Sequence, residues 1–325
     1  MKAGWYEKNG PARDVLVLGE METPKPSAGE VLVRLAASGV NPSDVKSRAG
    51  RPLTAPRIIP HSDGAGIVEA VGPGVDKARV GERVWIWNGQ WKRPFGTAAE
   101  YIALPQEQAV RLPDNVDFAA GACLGIPALT ALQAVEHQGD VAGKTLLVTG
   151  GAASVGHYIC QIAAQRGARV IATASPRRAA HAMAAGASEI IDYTSEDVAE
   201  RVMALTGGKG ADGIIDMDLS TTAALLPKGV LAPHGKLVCY GSNVPADIPV
   251  SFTAMLWGSL TLQLFLVYEL TPAQRAAAVD QLTRLLEKDK LVHAIGARFP
   301  LAEIATAHET VEKGEIIGNV VLEID

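Results

Sequence analysis

An α/β chain of two domains, one mainly β and the other a doubly wound parallel sheet, is what three features of the sequence predict. Up to about residue 120 short strands are broken by Gly and Pro. From about 144 apolar strands alternate with helical stretches, the rhythm of a parallel sheet covered on both faces. At 145–156, TLLVTGGAASVG runs strand, glycine turn and helix start together.

Length and composition agree with two cores. At 325 residues with 48% hydrophobic side chains, the chain is long for one core and too apolar for disorder. Its 30 basic and 35 acidic residues leave a net charge of -5 with no long run of either sign, so small molecules are expected as partners and no nucleic acid. Cys123, Cys160 and Cys239 are far apart and expected to be buried thiols, without a disulfide framework or a thiolate metal site. The amino terminus lacks the apolar region of a signal peptide and no apolar run reaches membrane length, so a cytoplasmic location is expected.

In the first part the strands are expected at VLVRLAASG (31–39), GAGIVEAVG (64–72) and GERVWIW (81–87). The i, i+2 spacing of Trp85 and Trp87 puts them on one strand face, either in the core or, with Trp91, as an aromatic wall for a planar substrate. In the second part TLLVTG precedes a helix at 155–166, ARVIATA one near 176–185, and SEIIDY one near 195–206, before GIIDMD and KLVCYG. LTLQLFLVYEL at 260–270 is too short to span a membrane and predicts a buried strand. The tail is expected as a helix at 272–288, a short strand, a helix at 301–313 and the strand NVVLEI, rejoining the first domain. The domains are therefore 1–122 with 268–325, and 123–267.

The junction at 145–156 is built for a dinucleotide. Gly150 or Gly151 can turn sharply, Gly156 allows the helix to pack close to the strand, and free N–H groups from Ala152 to Val155, through Ala153 and Ser154, meet a pyrophosphate. The spacing is G-x-x-A-x-x-G, with Ala153 where glycine is usual. An NADH site would carry an acidic residue about 20 positions on, but ARVIATA leads into Ser175, Pro176, Arg177 and Arg178. A hydroxyl and two guanidinium groups suit the 2′-phosphate of NADPH. The alternative, given less weight, is that both arginines are solvated residues of a first helical turn.

With these residues in place the chain resembles the zinc-free branch of the medium-chain dehydrogenase/reductase superfamily, and within it the zeta-crystallin-like quinone oxidoreductases. The likeness rests on SGVNPSDVKSRAG (38–50), PHSDGAGIVEAVGPGV (60–75), GIPALTA (125–131), VTGGAASVGHYICQIA (148–163) and HETVEKGEIIGNVVLEI (308–324). It implies a GroES-like catalytic domain, a Rossmann domain, an active site in the cleft between them, and homodimers joined by the strand at about 260–267. It further implies that Asn41 and Asp44 lie near nicotinamide and substrate, Thr130 near the cofactor ring, Tyr193 beside the adenosine ribose phosphate, backbone at Leu264, Phe265 and Leu266 on the carboxamide, and Gly241, Ser242 and Asn243 along the cofactor's path. Three positions depart from the pattern. Lys46 replaces an aromatic residue, although Arg48 is kept; Asn319 replaces a basic residue that would touch a phosphate; His61 stands where glycine is common.

Zinc relatives carry Cys, His and Cys where this chain has Asn41, Ser62 and Leu124, and residues 88–100 lack the cysteines of a structural zinc lobe. No metal is expected. Without a Lewis acid an isolated carbonyl is not polarised, so the acceptor must be electrophilic already, as a quinone or conjugated carbonyl is. The expected function is zinc-independent hydride transfer from NADPH to a small quinone. An enoyl or alkenal reductase, or an NADPH-binding structural or RNA-associating protein with little turnover, are the alternatives.

Overall fold

The computed structural model describes residues 1–244 and 246–325. In chain order its strands are β1 (Lys2–Trp5), β2 (Val17–Glu20), β3 (Glu30–Val40), β4 (Asp63–Val71), β5 (Arg83–Ile86), β6 (Tyr101–Pro105) and β7 (Ala109–Arg111), followed by β8 (Thr145–Val148), β9 (Arg169–Thr173), β10 (Glu189–Ile191), β11 (Ala211–Asp216), β12 (Leu231–Cys239), β13 (Thr261–Leu264), β14 (Ile295–Pro300) and β15 (Asn319–Glu323).

The chain divides into two units, Met1–Pro127 with Val279–Asp325, and Ala128–Ala278. The divisions fall five and eleven residues beyond the expected 122/123 and 267/268. At the first, Asp63 accepts the backbone N–H of Ile126 at 3.1 Å, which keeps 123–127 with the first unit. At the second, the Arg275 guanidinium donates to the Val267 carbonyl and holds the start of the helix Pro272–Glu287 to the second unit.

The first unit is built on a sheet of order β14-β15-β3-β4-β5-β7, with β6 also on β3. Alternate residues of β3, Val31, Val33 and Leu35, join Val84, Ile86, Ile102, Leu104, Val320 and Leu322 in one core. Trp85 is fully buried, but β5 ends at Ile86, so strand alternation does not carry over to Trp87. Trp87 is half-buried and its Nε1 donates to the Glu107 carbonyl at 3.1 Å, so the two do not form one stripe.

The second unit is a six-stranded sheet of order β10-β9-β8-β11-β12-β13, with every neighbouring pair parallel. Counted from β8 as the first strand, this is the 3-2-1-4-5-6 order of a doubly wound nucleotide fold, whose crevice opens at the carboxyl ends of the first and fourth strands. The helix expected from 195 begins later, at Val198, because the Asp197 side chain caps it by accepting from the Ala199 and Glu200 N–H groups. The strand expected to be buried at 260–270 is instead the edge strand β13: among the described residues it pairs only with β12, and Leu264 is 61% exposed. A continuous apolar run signals an apolar environment but not whether the same chain supplies it. All three cysteines are buried free thiols. Among the described residues no helix is long and apolar enough to cross a membrane.

Candidate nucleotide and active site

The glycine turn leaves β8 at the switch point of the sheet. Gly150 takes φ +66°, a left-handed conformation costly for other residues, and a Cβ there would meet Met217 Sδ at 2.1 Å. Thr173 fastens the turn from β9, its Oγ1 accepting from Gly150 N at 2.9 Å and its carbonyl from Gly151 N at 3.0 Å. A Cβ on Gly156 would lie 2.1 Å from the Gly150 carbonyl oxygen, so the helix Ser154–Gln165 packs directly on the turn. Its N-cap is Ala153, with no side-chain hydrogen bond from the cap to the first-turn N–H groups, and Ala153, Ser154 and Val155 are partly exposed while Ala152 is buried. The helix thus presents an amino terminus whose dipole and amide donors suit an anion.

Two aspartates that sequence reasoning passed over shape the other side of the switch point. Asp216, at the end of β11, accepts from Thr149 Oγ1 and Thr222 Oγ1, both at 2.7 Å, and burial pushes its carboxyl up. Asp218 takes the Asn243 backbone and side-chain N–H groups at 2.9 Å and the Ser220 hydroxyl at 2.5 Å. Burial pushes the Asp218 carboxyl up, yet the bonds from Ser220 and Asn243 outweigh it and hold the group below its ordinary range. Gly241 packs so close that a Cβ would lie 2.7 Å from the Met217 carbonyl, and Ser242 Oγ donates to the Val244 carbonyl at 2.9 Å. The loops after β11 and β12 are therefore one hydrogen-bonded assembly beside the glycine turn. The signal was present in GIIDMD, where two carboxylates end an apolar strand.

The remaining nucleotide candidates lie on other elements of the same unit. Ser175 is the N-cap of the helix Pro176–Ala184, with Arg177 exposed and Arg178 half-buried on its first turn. Tyr193 follows β10 and is 57% exposed. Thr130 lies in the first turn of the helix Leu129–Gln138, and its buried Oγ1 has no hydrogen-bond partner among the described residues. At the edge strand the Phe265 N–H is already given to the Cys239 carbonyl at 3.2 Å, and Leu264 and Leu266 are exposed. Phe265 packs edge-on against His137, with ring centroids 5.0 Å apart.

In the first unit Asn41 and Asp44 come together at the junction of β3 and the helix Pro42–Gly50. The Asn41 backbone N–H donates to Asp44 Oδ2 at 2.8 Å, half of a capping box. Burial pushes the Asp44 carboxyl up to about 7, against the bonds from Asn41. Asn41 Nδ2 donates to Asp63 Oδ2 at 2.9 Å. Asn319 sits one residue beyond the Val320–Val40 pair, in register with Asn41, but its Nδ2 donates to the Ala294 carbonyl at 3.0 Å. Lys46 is exposed, whereas Arg48 is buried and bonds the Gly10 carbonyl and the Glu312 carboxylate.

His61 has φ +77°, which explains why glycine suits this position. A buried chain of side chains runs from it: His61 Nε2 is 2.9 Å from His308 Nε2, His61 Nδ1 2.8 Å from Ser38 Oγ, and Ser38 Oγ 2.8 Å from Thr97 Oγ1. Thr97 Oγ1 donates to the Asp63 carbonyl at 2.6 Å, which uses its only proton. Ser38 must then donate to Thr97, His61 must carry its proton on Nδ1, and His308 must donate from Nε2. Burial, together with the His308 ring, holds His61 well below its ordinary pKa, and burial lowers His308 to about 3, so both rings are neutral.

The donor set at the zinc-type positions does not fit zinc. Asn41 has its amide nitrogen on Asp63, Ser62 is a buried hydroxyl and Leu124 is carbon only.

Comparison with known proteins shows the family. Residues 27–114 match the alcohol dehydrogenase GroES-like domain, and 185–322 the zinc-binding dehydrogenase family. The quinone oxidoreductase of Pseudomonas aeruginosa is 34% identical over 320 residues, covering 95% of each chain. The 2-haloacrylate reductase of a Burkholderia species is 31% identical over 341 residues, covering 99% of this chain and 98% of the relative. A mycobacterial protein solved in complex with NADPH superposes with a TM-score of 0.88 at 30% identity, covering 99% of this chain and all of the other.

Proposed function

Because the chain belongs to the quinone oxidoreductase family of the medium-chain dehydrogenases and reductases, and is an oxidoreductase enzyme, we propose that it passes a hydride from NADPH to a small quinone without the help of zinc. The observation that carries the nucleotide half is the glycine turn at the switch point, with its uncapped helix start facing where a pyrophosphate belongs. The unpartnered Thr130 hydroxyl supports a cofactor ring nearby, and the complex of a similar structure with NADPH supports the choice of nucleotide.

NADPH, when bound, supplies the hydride. The chain binds and orients it: Gly150 to Gly156 hold the pyrophosphate, Ser175, Arg177 and Arg178 the 2′-phosphate, and Tyr193 the adenosine end. Gly241 and Ser242 line its path, and backbone at Leu264 to Leu266 holds the carboxamide. Asn319, with Nδ2 engaged by Ala294, contributes at most a neutral contact in place of a charged one. Asn41 orients the acceptor and Asp44 braces the turn that carries it. A quinone suits this equipment because conjugation spreads the incoming charge onto an oxygen that water can protonate.

The relative named 2-haloacrylate reductase favours a second reading, reduction of a conjugated double bond by the same cofactor and fold. One NADPH-consumption screen after exhaustive chelation decides among these. Small benzoquinones should be reduced at full rate, enones and enals in second place, and ethanol and cyclohexanone not at all. Enone activity without quinone activity would move the assignment to the second reading, and loss of activity on removing a stoichiometric zinc would overturn the metal-free mechanism. A homodimer joined along β13 is part of the proposal, supported by exposed Leu264 and Leu266 and by Phe252, Leu256 and Trp257 on the preceding helix, Trp257 being 83% exposed. The three reduced, buried cysteines support residence in the cytoplasm.

A further inference from the structure

We propose that Asp63 is a positioning residue, which fixes the Asn41 amide in one orientation and so sets which hydrogen-bonding atom Asn41 offers. The inference rests on the role given to Asn41 above. A carboxylate can only accept, so the Asn41 atom 2.9 Å from Asp63 Oδ2 must be Nδ2. Asn41 Oδ1 is thereby turned away from Asp63. Asn41 meets its partner as an acceptor, suited to an O–H or N–H group.

Asp63 can impose this because it is itself held from every side. Its backbone carbonyl takes the Thr97 hydroxyl at 2.6 Å, at the end of the buried histidine chain. Its Oδ2 also accepts the Ile126 N–H at 3.1 Å, and a Cβ on Gly125 would lie 2.3 Å from Oδ1. The side chain is fully buried, so water does not compete for the Asn41 bond. Asp44 fixes the Asn41 backbone and Asp63 its side chain, from different elements. An isolated Asn side chain would exchange its two faces freely; here only one is available.

The test is a double-mutant cycle of Asn41→Ala and Asp63→Ala, reading kcat and KM for a small benzoquinone, the NADPH dissociation constant by fluorescence, and urea unfolding midpoints. Asp63→Ala should lower kcat about 10- to 100-fold, the scale of a misplaced orienting group, with NADPH affinity changed less than about twofold. In the Asn41→Ala background the same change should cost less than about threefold in kcat. Asp63→Asn, whose Oδ1 still accepts from Asn41 and Ile126, should recover most of kcat, and Asp63→Leu, similar in volume but without an acceptor, replaces Asp63→Ala throughout the cycle if that variant does not fold. Equal losses of kcat in both backgrounds would overturn the proposal, since Asp63 would then act only by holding the turn at Ile126. If the wild type reduces no quinone or enone, the proposed function fails separately, and coupling of the two substitutions in the unfolding midpoints still decides whether Asp63 holds Asn41: additivity there would sink it.

Discussion

Adding a single methyl group at Gly156 tests the nucleotide site at its tightest point. A Cβ there would lie 2.1 Å from the Gly150 oxygen, 2.8 Å from its carbonyl carbon and 2.9 Å from Gly151 Cα. The obstacle is backbone, and it cannot retreat: Gly150 is fastened to Thr173 on one side and covered by Met217 on the other. Relief therefore requires the helix Ser154–Gln165 to slide away by about 1 Å, enough to restore an ordinary contact. Overpacking of this kind costs about 1–3 kcal/mol of stability. The same displacement stretches the amide contacts to the pyrophosphate, and losing one charge-assisted hydrogen bond of about 1.5–3 kcal/mol weakens binding roughly 10- to 150-fold. Gly156→Ala should show both effects, a lower unfolding midpoint and a raised NADPH dissociation constant in fluorescence titration, with KM for the acceptor little changed. A variant that binds NADPH within about twofold of wild type would refute the close packing of helix on turn as the reason for glycine.

Two further outcomes are expected. Replacing Arg177 and Arg178 together by alanine should raise the NADPH dissociation constant about 10- to 150-fold and leave NADH nearly unaffected; equal losses for both cofactors in parallel titrations would mean the arginines do not read the 2′-phosphate. The depressed pKa values of His61 and His308 mean that the unfolded chain binds more protons than the folded one below about pH 6.5, so stability should fall as pH falls toward about 3. His308 alone should cost about 2 kcal/mol at pH 5. Asp44, pushed up to about 7, acts in the opposite sense between its unfolded and folded pKa values, its contribution being lost as pH rises through that window. Comparing wild type with His308→Gln by urea unfolding at several pH values cancels the Asp44 term, and a pH-independent difference between them would count against the histidine pair.

Much of this was legible in the sequence because it depends on local spacing. The strand–helix rhythm after residue 144 and the run from Thr145 to Gly156 specify the parallel sheet and its turn through short-range sterics alone. The unread features join distant segments. Asp63 meets Asn41 and Ile126 only after β3, β4 and the turn at 124–128 have packed, and a lone Asp in GAGIVE-type sequence carries no mark of that. Asp216 and Asp218 owe their role to hydroxyls and amides on three separate stretches, at Thr149, at Ser220 and Thr222, and at Asn243. Trp87 and β13 went astray for another reason: alternation holds only while a strand lasts, and apolarity does not name the partner that covers it.

The chain of hydroxyls and rings ending at the Asp63 carbonyl has a consequence for how the first unit records its own assembly. In water, neutral imidazole favours the proton on Nε2, and nothing local to His61 overrides that preference. Only when residues 38, 97 and 308 have all arrived does His61 need the rarer Nδ1–H form while His308 keeps the common one. The two rings, stacked with centroids 5.1 Å apart, should then give unlike nitrogen chemical shifts, and a variant at Ser38 or Thr97 that removes a hydroxyl should alter the His61 signal without touching the ring. The tautomer of one histidine becomes a spectroscopic witness to the closure of a network drawn from four parts of the chain.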